Sequence, residues 1–428
     1  MPRIGAAPTR AIMLVVEVDR DSIIPQGGRV GFVAEIYGRK AERIPTFLIV
    51  LLDVSPSMKK ENKIVRAKEG VIEATKTLKP TDHFAVIAFC RTAKLLGSTL
   101  HGDSLETIKK RVEEAKHCTF TNIGRALEEA LNLIETLNKR YGAIYSYRIL
   151  LLTDGMPTWG PKRPEQYRRI VERARKLGAP IIAIGIGTKY NEKLLFYLAK
   201  ETGGVFEHIS SSEEIRKVLE EYATRGTKVV AKDVKLEIEL LGNVDVEIYG
   251  FNYEKKGNKA IVQVGDVSEG EQVTVGGMLI VFPSAAAPGA TMRVSRFRAL
   301  YYEPQGGERM TAWIDLTLKV VKSEEEVRVD EVVAAKVNAL STAQKIVEAA
   351  ISGRAEELAE ATARLAEETA RIGDMELYSE TMRIKEMLEL RPEEGVREAL
   401  SLASKIVKRE VKEESEEAGG EGKEGGGA

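Results

Sequence analysis

From Pro45 to Tyr222 the chain alternates apolar strands with amphipathic helices, and no other feature constrains its fold as strongly. The runs 47–52, 84–89 and 181–186 are continuously apolar, which suits strands buried on both faces of a parallel sheet. Segments 95–100, 148–152 and 205–209 read as further strands, while 62–78, 104–115, 123–139, 164–177, 192–202 and 212–222 carry the 3.6-residue period of helices with one buried face. The expected domain is a mostly parallel sheet with helices on both faces. Such sheets place their ligands beyond the carboxyl ends of the strands.

Outside this block the period changes. Residues 12–36 alternate apolar and polar side chains around Pro25-Gln26-Gly27-Gly28 and read as a β-hairpin, which does not stand alone. After Arg225, segments 234–240, 244–249, 259–264, 272–282, 292–302 and 312–321 read as strands separated by Gly- and Pro-marked turns. Hairpin and all-β segment each need a partner sheet, so the expected architecture is one β-sandwich into which the α/β domain is inserted. Beyond Asp330 the period is helical over 331–351, 355–372, 375–388 and 392–412, interrupted at Gly353, Gly373 and Arg391-Pro392, as in a small antiparallel bundle. The chain thus divides into a sandwich hairpin (1–43), an α/β domain (44–225), the rest of the sandwich (226–330), a helical bundle (331–412) and an acidic Glu/Gly-rich tail (413–428). The tail has no aromatic residue and is expected to be disordered.

The charge balance excludes some functions. With 64 Lys+Arg against 65 Asp+Glu the chain has no single-sign field to attract nucleic acid or anionic lipid in bulk. No apolar run approaches the roughly 20 residues that span a bilayer, and the short stretch 11–16 runs into Glu17 and Asp19, unlike a signal peptide. A cytoplasmic location is expected. Cys90 and Cys118 are too few for a disulfide scaffold and are read as two inert thiols; a bond between them requires the end of strand 84–89 to lie beside the loop at 118, which is not expected. The four His are isolated and show no zinc-ligand spacing.

Polar residues at the strand ends carry the chemistry. Asp53-Val54-Ser55-Pro56-Ser57 follows the apolar run 47–52 directly. Two hydroxyls two residues apart can face one side of a tight loop, and a carboxylate just before them can anchor a cation or its waters. Oxygen donors of this kind suit a hard divalent ion, Mg²⁺ first, with Mn²⁺ or Ca²⁺ as alternatives. The same residues also fit a plain polar loop in which Ser57 caps the following helix. Two further segments bear on the choice: Thr121-Asn122-Ile123-Gly124-Arg125-Ala126-Leu127 opens a helix, and Leu150-Leu151-Leu152-Thr153-Asp154-Gly155 ends a buried strand with an acid and a turn.

In order and spacing these three segments resemble the metal-ion-dependent adhesion site (MIDAS) of the von Willebrand factor A (VWA) family. The resemblance extends over about 45–222 and includes Ala183-Ile184-Gly185-Ile186-Gly187 and Ala199-Lys200-Glu201-Thr202-Gly203-Gly204. It implies a Rossmann-like α/β domain, with Ser55 and Ser57 as direct metal ligands, Thr121 as a direct or water-mediated one, and Asp53 and Asp154 holding coordinated waters. Carboxylates kept behind waters leave an ion under-neutralised, so an acidic residue of a partner completes its shell. Where many members carry glycines before the Thr, this chain has His117-Cys118-Thr119-Phe120, whose bulk bears on the freedom of that loop.

What the resemblance implies is a non-enzymatic, metal-dependent protein interaction module of regulatory or scaffolding type. Gly185-Ile186-Gly187 lacks the third glycine of a dinucleotide fingerprint, no P-loop is present, and no His is placed in sequence to activate Ser55 or Ser57. Trp159, Arg163 and Tyr167 follow Asp154 closely and are candidates for partner contacts, with packing on their own helix as the alternative. Ser415, between Glu413-Glu414 and Glu416-Glu417, is a phosphorylation candidate in a tail that also serves solubility. The order of sandwich, VWA domain, helices and charged tail is similar to that of cytoplasmic archaeal VWA regulators, among them one that partners a forkhead-associated (FHA) protein in control of the archaellum. An FHA-domain protein and a protein kinase are therefore the expected partners, although no Thr follows Thr381 to serve a phosphothreonine contact from the tail. The alternative is an accessory VWA subunit of an AAA+ ATPase that drives metal insertion or remodelling.

Overall fold

The computed structural model describes residues 3–142, 144–187, 189–211, 213–226, 228–303, 307–406 and 408–410. At its centre is a six-stranded sheet in the order Phe206–Ile209, Ile181–Ile186, Ser146–Thr153, Thr46–Asp53, His83–Phe89, Ala93–Ser98. All pairs are parallel except the last, an antiparallel hairpin. Thr46–Asp53 is buried over its whole length because helices cover both faces of the sheet. Lys63–Ala74, Leu105–Glu113 and Glu214–Gly226 close one face, through Ile64, Val71, Ile108 and Leu219. Ile123–Tyr141, Arg168–Leu177 and Glu192–Thr202 close the other, through Leu127, Leu131, Ile170 and Leu194. The chain leaves Thr46–Asp53 for His83–Phe89 on one side and returns to Ser146–Thr153 on the other, so the strand order reverses at the carboxyl end of Thr46–Asp53. A crevice opens at such a point.

The strands before and after this block pair with each other. Gly28–Gly38 runs antiparallel to Glu271–Val281, from Gly28 opposite Val281 to Tyr37 opposite Gln272, inside a sheet that also holds Arg3–Pro8, Ile12–Val18 and Val244–Tyr249. The facing sheet is built on Val229–Leu240, Lys259–Ser268, Thr291–Tyr302 and Ile314–Val320. The two share one apolar core, in which the rings of Phe32 and Phe297 lie 5.3 Å apart across the layers. Arg3–Pro8 is an edge strand that sequence pattern did not single out: Gly5-Ala6-Ala7-Pro8 has no β-branched or aromatic residue, and only its place beside Ile12–Val18 makes it a strand. Ser146 bonds Asp266 of the flanking strand Lys259–Ser268, and Thr46 bonds the Gly226 carbonyl at the end of the helix that leads into Val229–Leu240, tying the amino ends of the central strands toward the flanking sheets. The carboxyl ends therefore point away from them.

Four helices follow, Glu331–Ser352, Ala355–Ile372, Met375–Leu390 and Pro392–Lys405, each packed on the next and the last on the first. The fourth ends at Lys405 rather than at 412 as its sequence suggested. Beyond Ile406 the backbone of residues 408–410 lies as a short strand against Glu271–Val273. The same helix covers the edge strand Phe206–Ile209: the Ser404 hydroxyl accepts the Phe206 amide at 2.8 Å, and Lys405 pairs with Glu207 at 2.5 Å. A sheet edge that would otherwise offer unpaired amides is thereby closed. Among the described residues no helix is long and apolar enough to cross a membrane. The acidic tail from 413, with Ser415, lies outside the described residues.

Candidate metal centre

The crevice at the strand reversal is lined by oxygen. Asp53 closes its strand fully buried, with one carboxylate oxygen accepting the Ser55 amide at 2.8 Å and the other the Thr153 hydroxyl at 2.6 Å. Burial pushes Asp53 up to about 6, against the lowering pull of the Thr153 hydroxyl and the Ser55 amide. Those two bonds lock its orientation. Ser55 and Ser57 face each other with their hydroxyls 2.9 Å apart, and the Ser57 hydroxyl donates to Asp154 at 2.6 Å. Neither serine caps a helix: the short 3₁₀ turn Pro56–Asn62 and the helix Lys63–Ala74 both begin without a side-chain capping bond. The hydroxyls are left for the crevice.

Thr121 arrives from the other side. Asn122 caps helix Ile123–Tyr141 through the Arg125 amide at 3.1 Å, which leaves Thr121 just outside the helix. Its amide donates to the Thr158 hydroxyl at 2.8 Å, and its carbonyl accepts the amides of Thr158 and Trp159 at 3.0 and 3.1 Å. A Cβ added to Gly155 would lie 3.5 Å from the Ser57 hydroxyl and 3.6 Å from that of Thr121. Both hydroxyls thus border one small space that a glycine keeps open. Asp53, Ser55, Ser57, Thr121 and Asp154 are brought to this one place from three loops.

A divalent ion fits this donor set. All donors are hydroxyl or carboxylate oxygens, the ligand class of hard divalent ions. Lys63, which sequence reading passed over, sets its ammonium 3.3 Å from the free oxygen of Asp154. It partly neutralises the site from within. Only the turn of the chain after Ser57 brings it there, and no spacing rule signals it.

The outer residues divide. Trp159, whose amide bonds the Thr121 carbonyl, and Arg163 are exposed, but Tyr167 is fully buried and donates to the Pro161 carbonyl at 2.9 Å. Tyr167 is a core residue, because the turn before helix Arg168–Leu177 folds its ring inward, and it cannot touch a partner. Cys90 and Cys118 are joined as a disulfide, contrary to the reading of two inert thiols. The loop passes close enough for this because the Cys118 amide bonds the Val54 carbonyl at 3.3 Å and the Asn122 amide bonds the Cys90 carbonyl at 2.8 Å. His117 rests its ring on the Val54 carbonyl at 3.2 Å. Phe120 takes the left-handed backbone conformation, φ 69°, a cost of about 1–2 kcal/mol for a residue with a bulky side chain.

A family model for the von Willebrand factor type A domain matches residues 48–221. The chain is 26% identical over 245 residues to protein YfbK of Escherichia coli, covering 55% of this chain and 42% of that protein. It is 26% identical over 229 residues to inter-alpha-trypsin inhibitor heavy chain 4 of Mus musculus, covering 52% and 24%. It thus spans less than half the length of these curated relatives. Two solved structures share the fold across nearly the whole chain. The ArnB paralog VWA2 from Sulfolobus acidocaldarius superposes with a TM-score of 0.70 at 20% identity, covering 93% of this chain and 98% of that one. A von Willebrand factor type A protein from Catenulispora acidiphila does so with 0.73 at 15%, covering 94% and 98%. The strand order, the helices on both faces and the matched segment agree: residues 48–221 of this chain are a von Willebrand factor type A domain.

Proposed function

We propose that the chain is a non-enzymatic interaction protein that docks an acidic residue of a partner protein on a divalent ion held by Asp53, Ser55, Ser57, Thr121 and Asp154. The observation that carries this reading is the convergence of three hydroxyls, none spent on a helix cap, between two buried carboxylates at the strand reversal. Ser55, Ser57 and Thr121 would hold the ion directly, while Asp53 and Asp154 would hold its waters. A bound ion supplies an electrophile short of negative charge, which a carboxylate from outside satisfies. This chain's own part is to fix the donors. Thr153 and the Ser55 amide orient Asp53, Thr158 holds the Thr121 backbone, and Lys63 limits the charge that Asp154 contributes.

Calorimetric titration of chelator-stripped protein with Mg²⁺ tests the site. One ion should bind per chain, and Ser55→Ala with Asp154→Ala should abolish the binding heat while leaving the circular dichroism spectrum unchanged. Equal binding by the variant would sink the assignment. Mg²⁺ is favoured for the all-oxygen donors, with Mn²⁺ in competition as the comparison. Capture from native lysate with and without chelator, read by mass spectrometry, distinguishes an FHA-domain protein and its kinase from an AAA+ ATPase as the partner.

A further inference from the structure

Three large apolar side chains are exposed in the loops that carry Thr121 and Asp154: Phe120, Met156 and Trp159, with exposures of 42, 51 and 44%. They are not scattered. The rings of Phe120 and Trp159 lie 5.5 Å apart, and the guanidinium of Arg91 sits 4.4 Å over the face of Trp159. Phe120 is held outward in a left-handed backbone conformation, which a chain selected only for stability would give to glycine. The three loops are also bound to one another. The Arg91 amide bonds the Thr119 carbonyl, the Trp159 amide bonds the Thr121 carbonyl, and the Cys90–Cys118 disulfide ties the residue before Arg91 to the loop of Phe120. Exposed charge within the loops at these strand ends is mostly basic. Segments 54–62, 90–92, 116–122 and 155–163 expose six basic side chains, at 59, 60, 91, 116, 162 and 163, and a single carboxylate, Glu61, which lies 3.5 Å from Lys63.

We infer that Phe120, Trp159 and Arg91 form a preorganised clamp beside the metal centre that takes a large apolar side chain from an acidic segment of a partner protein. The proposal rests on the metal reading above and adds the chemistry of the partner. The acidic residue is one anchor, an aromatic or long aliphatic side chain close to it in sequence is the second, and further acids meet the basic rim. Aromatic anchors backed by an arginine are the usual bearers of binding energy, and a clamp fixed before binding has little ordering left to lose. The acidic tail of this chain does not fit the description, since residues 412–428 hold no apolar side chain larger than alanine.

A random 12-residue peptide library displayed on phage, selected on the immobilised full-length chain in Mg²⁺, tests the clamp. Enriched peptides should place a large apolar residue within three positions of an Asp or Glu. Phe120→Ser with Trp159→Ser should weaken a selected synthetic peptide at least tenfold in fluorescence anisotropy with Mg²⁺ affinity unchanged, the latter also showing that the variant is folded. Changing the apolar residue of the peptide to Ser should weaken it equally on the unaltered chain and have little effect on the variant. Selection of acids without an apolar neighbour, absence of enrichment, or undiminished binding by the variant overturns the clamp and leaves the metal reading standing. Binding that survives chelator yet falls in the variant overturns the metal reading, and the two-anchor proposal with it. A peptide of residues 412–424 that binds as tightly as the selected ones overturns the proposal in favour of self-recognition.

Discussion

Removing the Cys90–Cys118 disulfide should destabilise the VWA domain chiefly through its unfolded state. The bond joins residues 28 apart, and on the chain-entropy scale a loop of that size corresponds to about 3.5 kcal/mol. Inside the loop, strand Ala93–Ser98 is paired with His83–Phe89 and helix Leu105–Glu113 buries Ile108 and Val112, so the folded segment keeps its contacts when the bond is absent. The loss should therefore approach the full entropic figure and lower the melting temperature by roughly 7–14 °C for a domain of this size. Calorimetric scans of the oxidised chain and of Cys90→Ala with Cys118→Ala measure it. Cys118 is exposed, so an added dithiol should reach the bond and reproduce the variant's transition. Two thiols titrating in the denatured, unreduced chain, or melting temperatures within about 2 °C, would refute the reasoning.

Lys63→Met removes a cation 3.3 Å from Asp154 and should tighten Mg²⁺ binding by about five- to tenfold, roughly 1 kcal/mol, in calorimetric titration; weaker binding would mean that Lys63 instead positions the carboxylate. His208 is held down at about 4 by burial first, then by Arg397, Lys405 and Arg383, and its ring bonds the Tyr190 hydroxyl at 2.6 Å. A depressed His contributes stability that is present above its unfolded value near 6.5 and lost as pH falls toward 4, about 2.5 kcal/mol by pH 4.5. His208→Asn should remove that part of the acid sensitivity in denaturant melts, whereas parallel losses in both chains between pH 6.5 and 4.5 would count against it.

The α/β fold was legible because its signal is local and repeated. Each of the runs 47–52, 84–89 and 181–186 announces a strand without reference to the others, and the helical period between them leaves a parallel sheet as the way to bury both faces. Asp53 and Asp154 were legible for the same reason, since each falls where an apolar run stops and strands that pair in parallel stop together, Leu52 beside Leu152. What escaped depends on loops meeting loops. Tyr167 and Trp159 lie eight positions apart in one connecting segment, and nothing in their neighbours tells that one ring turns inward to the Pro161 carbonyl while the other stays in water. The end of the last helix was misplaced because Val407 and Val411 sustain an apparent period, although the backbone there finds partners on strand Glu271–Val281.

The disulfide shows how such a miss alters the function argued. Read as a sequence, His117-Cys118-Thr119-Phe120 is a bulky replacement for glycines, and bulk alone leaves open whether the Thr121 loop is stiff or free. In the fold the loop is held by attachment as well as filled by bulk: Cys118 is bonded to Cys90, its amide to Val54, and the amide of Arg91 to Thr119. A loop with those ties moves only together with the end of strand His83–Phe89 and the turn after Asp53. Thr121, a donor on the proposed reading, is then tied to Trp159, whose amide bonds the Thr121 carbonyl. On the proposed reading, discrimination among acidic partners would reside in the exposed rings beside the crevice, because an ion held by the oxygens within it would take any carboxylate alike.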